Sequence, residues 1–405
     1  MSSLAVELPD LYEIEAQNSP LMGNRTAVFL TEEERFWLRQ EKVTPPPQFG
    51  NFVGRADEMA TLSNAIARRA PVITISGTAG VGKTALVQRL LGTYPSISHV
   101  SVSDFNEPWP AVASALVATY GRIPTNIRLP ADEFRTLNPR SNPMVIVFDD
   151  LDRFGAPRRA RKQLLRVMEK LSPALGDWLT VIIVSRDASS YANESIASSA
   201  TAIDLQPLSS EARHAFLASS ARDVGVELEP ETSHAIADSS LGLPLILKSF
   251  LARSIDRMTS AGTKGKETVG LASFTGAIPD SFSDLALAYD SHLLAIEKLN
   301  ALDWPVVQTL ANEDVFNKVN VDQLQELATL NMRCSSRELG RSLRRLKARD
   351  IITEAKAANG LYVQSHIFFA FIRATQWMER HAEAGSNSFG ILAGAAKKAR
   401  AAARS

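Results

Sequence analysis

SGTAGVGKTAL, residues 76–86, follows directly on the apolar run PVITI. Gly77 through Thr84 fits the pattern G-x-x-x-x-G-K-[ST]. Glycines let successive backbone N–H groups turn inward around an anion without side-chain obstruction. A helix that starts at the end of such a loop points its positive end at the same anion. A glycine-rich turn can meet the pattern by chance. Here a β-branched run precedes it and an amphipathic run follows, which is the setting a phosphate cradle requires. The spacing therefore predicts that Gly77, Thr78, Ala79, Gly80, Val81, Gly82, Lys83, Thr84 and Ala85 wrap the phosphates of a nucleotide. Lys83 reaches the β- and γ-phosphates, and the Thr84 hydroxyl ligates magnesium.

Working outward, the chain alternates between two periodicities. PVITISG and SHVSVSD read as strands, and MVIVFDD and TVIIVSR are continuous apolar runs of the kind buried on both faces of a sheet. GKTALVQRLLG, PWPAVASALVATYG and ARKQLLRVMEKL lie between them with helical patterns. Strands alternating with helices predict an α/β fold with a parallel sheet. MVIVFDD ends in Asp149 and Asp150. With a phosphate loop upstream, Asp149 is expected to hold magnesium and Asp150 to orient the attacking water. The plainer alternative is a solvated acidic pair. TVIIVSR ends in Arg186 at a strand's C-terminal edge, where ligands of such sheets lie. It reads either as a γ-phosphate sensor or as a surface arginine paired with Asp187.

Bulk properties narrow the class. The 405 residues carry 44 Lys plus Arg and 44 Asp plus Glu, so net charge points to no polyanionic partner, and any such partner must be read from local patches. Cys334 is the only cysteine, which excludes a disulfide framework and suits a reducing compartment. No signal-peptide pattern and no membrane-length apolar run is present, and a cytoplasmic protein is expected. Residues 1–45 form an extension of unknown role, with Thr31 and Glu34 placed as a capping box, and TPPPQFG (44–50) reads as a linker. The phosphate-loop domain is then expected over 46–207 and a helical lid over 208–258. The Gly/Ser/Thr/Lys-rich stretch beginning at 259 reads as a flexible joint over 259–280. An α-rich winged-helix domain is expected over 281–380, with a hairpin turning at Asn359-Gly360, followed by an Ala-rich basic tail over 381–405.

Six segments in this order resemble one family. FVGRADEMATL (52–62), TISGTAGVGKTAL, MVIVFDDLDRF, TVIIVSR, LQPLSSEARHAFL (205–217) and GLPLIL (242–247) are similar to the successive motifs of the STAND class of signalling ATPases, including its NB-ARC branch. The resemblance covers about residues 50 to 370. It implies a P-loop NTPase sheet with a helical lid and a following winged helix, ATP or ADP as ligand, and magnesium. It also implies residue roles. Phe52, Val53 and Gly54 would border the adenine, Arg55 would sit close to the nucleotide, and Pro244 would pack on the base. His366, in VQSHIFF, matches the histidine that such proteins place on the β-phosphate of ADP. The usual Met-His-Asp is here Ser365-His366-Ile367. The long sensor repeats of the family have no counterpart after residue 380.

Two functions follow. One is an ATP/ADP-gated switch with slow hydrolysis that oligomerises or meets a partner protein; Asp150 is shorter than the glutamate of fast motors. The other is a DNA-bound ATPase resembling origin-recognition or transposition helper proteins. The discriminating segment is SSRELGRSLRRLKARD (335–350). Leu339, Leu343 and Leu346 line one helical face and Arg337, Arg341 and Arg344 the opposite one. The arginines form either a solvated basic face or a DNA contact.

Overall fold

A computed structural model describes residues 52–93, 98–102, 112, 144–149, 157–171, 175, 179–186, 200–260, 268–288, 299, 303–312, 319–320, 335–348, 351–354, 360–363, 365–381 and 388–402. The extension 1–45 and its proposed cap at Thr31 and Glu34, the helix expected over PWPAVASALVATYG apart from Val112, Asp150, and Asn359 of the hairpin turn lie outside these residues.

The apolar runs become strands as expected. They are β1 (Val72–Gly77), β2 (Ser98–Val102), β3 (Met144–Phe148) and β4 (Leu179–Val184). A fifth, β5 (Thr201–Leu205), lies in a stretch where the sequence pattern gives no strand signal. It alternates buried and exposed residues, as an edge strand with one solvated face does. The order is β2-β3-β4-β1-β5 and every pairing is parallel. Strand β4 therefore separates the glycine-loop strand β1 from the acidic strand β3. The register pairs Ile75 with Val184, Phe148 with Ile183 and Gly77 with Leu205, so all four strands finish along one edge. Ile73, Ile75, Val145, Val147, Ile182 and Val184 are buried. Helices α1 (Ala56–Ala67), α2 (Lys83–Thr93) and α3 (Pro157–Leu171) accompany the sheet.

The segment after β5 is helical. It contains α4 (Ser210–Asp223), α5 (Pro230–Ser239) and α6 (Pro244–Ser260). Ser209 caps α4 by accepting a hydrogen bond from the Ala212 amide at 3.2 Å. The joint expected over 259–280 is corrected in its second half. Thr268–Val269 (β7) pairs in parallel with Glu227–Leu228 (β6), and α7 runs from Leu271 to Ala288. Composition misleads here, because small polar residues dominate the stretch while Phe274, Ile278 and Phe282 recur every four residues and are fully buried. Residues 261–267 are outside the described residues.

Four phenylalanines lock α7 to its neighbours. Phe250 of α6 meets Phe274 edge-on at 5.4 Å, and Phe371 meets both Phe250 at 5.3 Å and Phe282 at 5.1 Å. Edge-to-face aromatic pairs of this kind contribute about 0.5–1.5 kcal/mol each beyond their buried area. Phe371 belongs to α10 (His366–His381), in the C-terminal unit. The lid and that unit thus share one core through α7.

The C-terminal unit contains α8 (Asp303–Asn312), α9 (Ser336–Ala348) and a three-stranded antiparallel sheet in the order β8 (Val319–Asn320), β10 (Gly360–Val363), β9 (Ile352–Glu354). A helix followed by a hairpin is the arrangement expected of a winged helix. Ser335 and Glu338 form a reciprocal capping box, with the Ser335 amide donating to the Glu338 carboxylate at 3.0 Å and the Glu338 amide donating to Ser335 Oγ at 3.3 Å. Leu339, Leu343 and Leu346 are buried, and Arg337, Arg341 and Arg344 are exposed. Asp303 is fully buried and ties α8 to α9 by accepting from Ser342 Oγ and Arg345 Nη2, both at 2.6 Å. The tail expected over 381–405 is also corrected. Ser388–Ala402 forms α11, which packs on α7 and α10 through buried Leu392, Ala395 and Ala396. Alanines look featureless in a sequence, but they allow close helix approach. No described helix is long and apolar enough to cross a membrane.

Candidate nucleotide site

The glycine loop stands at the C-terminal edge of the sheet, between β1 and α2. Its backbone is left-handed at Gly80, φ +79°. A side chain there would lie 3.1 Å from Leu245 Cβ, so only glycine suits both the turn and the neighbour. Helix α2 begins at Lys83, which directs the first-turn amides of Lys83, Thr84 and Ala85 toward the loop. Lys83 Nζ donates to the carbonyls of Gly77 at 2.8 Å and Thr78 at 3.0 Å. The lysine therefore lies along the loop, within reach of anything the loop holds. Leu86 and Val87, the next residues of α2, are buried and fix the helix onto the sheet.

The remaining predicted residues sort by element. Asp149 follows β3 and is half-buried, while Arg186 follows β4 and is exposed. The Gly77 amide donates to the Arg186 carbonyl at 3.3 Å, which joins the end of β4 to the start of the loop. Phe52 and Val53 are partly buried against the core, and Gly54 sits so close to Ala212 that a side chain would come within 2.7 Å of its Cβ. Residues 52–54 thus lie against the start of α4.

Arg55 stands against the glycine loop and engages it through the backbone. It is buried, and its Nη2 donates to the carbonyls of Val81 at 3.2 Å and Gln206 at 2.6 Å, while Nη1 pairs with Glu58 at 2.8 Å. One guanidinium thereby links α1, the glycine loop and the exit of β5. Hydrogen bonds from a charged group contribute about 1.5–3 kcal/mol. Arg55 acts on the loop's shape.

Two remote segments close over the loop. Leu245 donates its amide to the Gly80 carbonyl at 3.2 Å, and Pro244 Cγ stands 3.9 Å from where a Gly82 side chain would begin. Gly242, φ +75°, makes this approach possible, because a Cβ there would lie 2.5 Å from the Leu208 carbonyl. From the C-terminal unit, His366 Nδ1 lies 2.5 Å from Thr78 Oγ1 in a hydrogen bond that spans 288 residues of sequence. Of the predicted residues, the structure therefore gathers Gly77–Ala85, Pro244 and His366 at one place, with Asp149 and Arg186 on the adjoining strand ends.

The donor set fits a magnesium nucleotide. Thr84 and Asp149 offer hard oxygen ligands, and the first-turn amides of α2 point toward the loop. No cluster of three or more His, Cys, Asp or Glu suited to another metal occurs among the described residues.

One set of contacts has no local signal in the sequence. Asp238 of α5 accepts from Arg373 at Nε, 3.0 Å, and at Nη2, 2.9 Å, and from Trp377 Nε1 at 3.0 Å. Both donors are on α10, and Arg373 Nη1 also donates to the Ala311 carbonyl of α8. Burial alone would raise the Asp238 pKa. The Arg373 and Trp377 hydrogen bonds and the charges of Arg373 and His234 outweigh it, so the carboxyl titrates below its ordinary value of 3.8. A carboxylate with a lowered folded pKa stabilises the fold above its unfolded pKa, and that stability is lost as pH falls through the folded value. The clasp between lid and C-terminal unit accordingly holds across the neutral range.

The sequence model of the family described as Novel STAND NTPase 1 matches residues 47–257, just over half of the chain. No curated protein matches. Among solved structures, the chain is similar to Cdc6p from Pyrobaculum aerophilum, with 14% identity, 85% of this chain and 98% of that chain covered, and a TM-score of 0.43. It is similar to the Aeropyrum pernix Orc1 protein in complex with DNA, with 16% identity, coverage of 86% and 98%, and a TM-score of 0.46. It is also similar to the Thermotoga maritima RuvB Holliday junction branch migration motor, with 15% identity, coverage of 82% and 97%, and a TM-score of 0.41.

Replacing Asp238 by Ala removes the acceptor of three hydrogen bonds and leaves Arg373 without its carboxylate. At about 1.5–3 kcal/mol for a charged hydrogen-bond group, amides of α10 should exchange with deuterium about ten- to a hundredfold faster. Unchanged exchange in α10 would show that Asp238 does not hold the two parts together.

Proposed function

Because the chain belongs to the Novel STAND NTPase 1 family of nucleoside triphosphatases, we propose that it is an ATP/ADP-gated switch. The observation that carries this reading is the double contact on the glycine loop. The lid reaches Gly80 through Leu245, and the C-terminal unit reaches Thr78 through His366. A ligand in the loop lies where three parts of the chain meet. Its phosphates then bias how those parts pack, by as much as its affinity differs between arrangements.

In this reading Lys83 and the amides around Gly80, Gly82 and Thr84 bind phosphate. Thr84 and Asp149 hold magnesium, and Asp150 orients water. Arg186 senses the γ-phosphate from the end of β4, the strand between the loop and Asp149. Phe52, Val53 and Gly54 border the base, which Pro244 covers from the lid. Arg55 positions the loop. Bound magnesium ATP supplies the cleavable phosphoanhydride bond and the charge that distinguishes ATP from ADP. Hydrolysis is slow, as a timing signal requires. The opened form exposes a surface for a second copy or a partner protein in a cytoplasmic signalling response.

A second reading rests on α9. Arg337, Arg341 and Arg344 are exposed on one face of a helix that precedes a hairpin, as a DNA-reading helix would present them. Zero net charge weighs toward the switch.

Three measurements test these readings. In calorimetric titrations with magnesium, Lys83→Ala should abolish ATP binding in a folded protein. Arg186→Ala should lower ATP affinity about ten- to a hundredfold and spare ADP. A parallel loss for both nucleotides would make Arg186 a structural residue. His366→Ala should speed release of bound fluorescent ADP, by about two- to tenfold for one hydrogen bond, and an unchanged rate would remove the C-terminal unit from the switch. Duplex DNA titrated at low and moderate salt should show no binding that the triple Arg→Ala variant loses. Salt-sensitive binding lost in that variant would favour the DNA reading.

A further inference from the structure

Helix α6 carries three cations near the lid, and two have carboxylate partners. Arg253 pairs with Asp284 and Asp256, and Arg257 pairs with Asp280. Lys248 has no carboxylate partner among the described residues. Its place on the helix explains the difference. At about 100° per residue, Lys248 falls at about 40° from Pro244, between Pro244 and Leu245 and one turn further along. Those two residues are the ones that touch the glycine loop. Phe250 faces the opposite side and packs on Phe274 of α7, where Ser249 also receives the Ser281 hydroxyl. The side chain of Lys248 is mostly withdrawn from solvent. An unpaired ammonium in such a place is unfavourable until an anion joins it.

We propose that Lys248 is a second phosphate-recognising cation of the nucleotide site, carried on the lid. It rests on the nucleotide reading above and adds a residue to it. Lys83 holds phosphate from the sheet side and Lys248 from the lid side, so the same anion draws both together. Burial pushes the Lys248 pKa down to about 8. Several titratable groups on the surrounding elements are already engaged. Asp280 and Asp284 of α7 pair with Arg257 and Arg253, Asp238 of α5 with Arg373, His214 of α4 with the Ser233 hydroxyl, and Lys83 and His366 bond to the loop. A phosphate beside Lys248 should raise its pKa, so that binding near pH 8 takes up protons.

A lysine with a lowered folded pKa binds fewer protons folded than unfolded. Stability then rises with pH from about 8 toward the ordinary value of 10.5, and Lys248 opposes folding at neutral pH. Lys248→Met should therefore melt no lower than the parent protein without nucleotide, while losing about tenfold in ADP affinity. Calorimetry with ADP near pH 8, in buffers of different ionisation enthalpy, should show uptake of a fraction of a proton by the parent and less by Lys248→Met. Lys248→Arg should keep most of the affinity and still lose that uptake, because arginine does not titrate there. Equal ADP affinity in Lys248→Met, or equal proton uptake in Lys248→Arg, would overturn the assignment. In that outcome, binding by the parent that Lys83→Ala abolishes would leave the nucleotide reading standing. If the parent bound neither ATP nor ADP, both would fall.

Discussion

The hydrogen bond from the Leu245 amide to the Gly80 carbonyl sets what the rest of the molecule must do. A loop of small residues offers backbone and little else, and backbone polar groups need partners. Here most of the partners come from far along the chain. Arg55 takes the Val81 carbonyl, Lys83 takes those of Gly77 and Thr78, Leu245 takes that of Gly80, and His366 takes the Thr78 side chain. The shape of the loop is thus decided by the packing of the lid and the C-terminal unit as well as by its own glycines. In the proposed switch, coupling between ligand and domain arrangement would need no transmitted pathway, because the contacts converge on one turn.

That convergence needs a rigid frame. The four-phenylalanine junction of Phe250, Phe274, Phe282 and Phe371 supplies the apolar part, and the Asp238 clasp supplies the polar part. Both join the lid to α10, the helix whose first residue is His366. Displacing His366 from Thr78 therefore moves α10 against a packed core and a charged pair. In the proposed switch, such a junction would favour two discrete arrangements over a continuous slide.

The central sheet and the loop were legible because their signals are local. A β-branched run, a glycine spacing and a strand ending in carboxylates each occupy fewer than about fifteen residues, and periodicity reads them directly. The order of six motifs carried the family in the same way. Three features were not legible, for physical reasons. Strand β5 has the short alternating pattern of an edge strand, which Ala202 and Asp204 hide. Helix α7 reads as a joint because its polar face is built from Ser273, Thr275 and Gly276, and only the spacing of Phe274, Ile278 and Phe282 marks the buried side. The Asp238–Arg373 pair joins residues 135 positions apart, and nothing local in a chain announces such a meeting, whereas His366 was placed near the loop by its motif alone. Arg55 lay in a recognised motif, but its motif did not say that it would hold carbonyls.

The place of β4 between β1 and β3 has a consequence for how such a chain can vary in length. The parallel register fixes Val184 beside Ile75 and Ile183 beside Phe148. Side chains on a strand alternate with a period of two, so one added or deleted residue inside β4 would exchange the facings of Ser185 and Arg186 and turn the buried strand's side chains over. The strand works as a ruler laid between the phosphate loop and the carboxylate. Substitutions within it change the packing by degrees, whereas a change of length resets the gauge, and insertions are accommodated only in the connections beyond its ends.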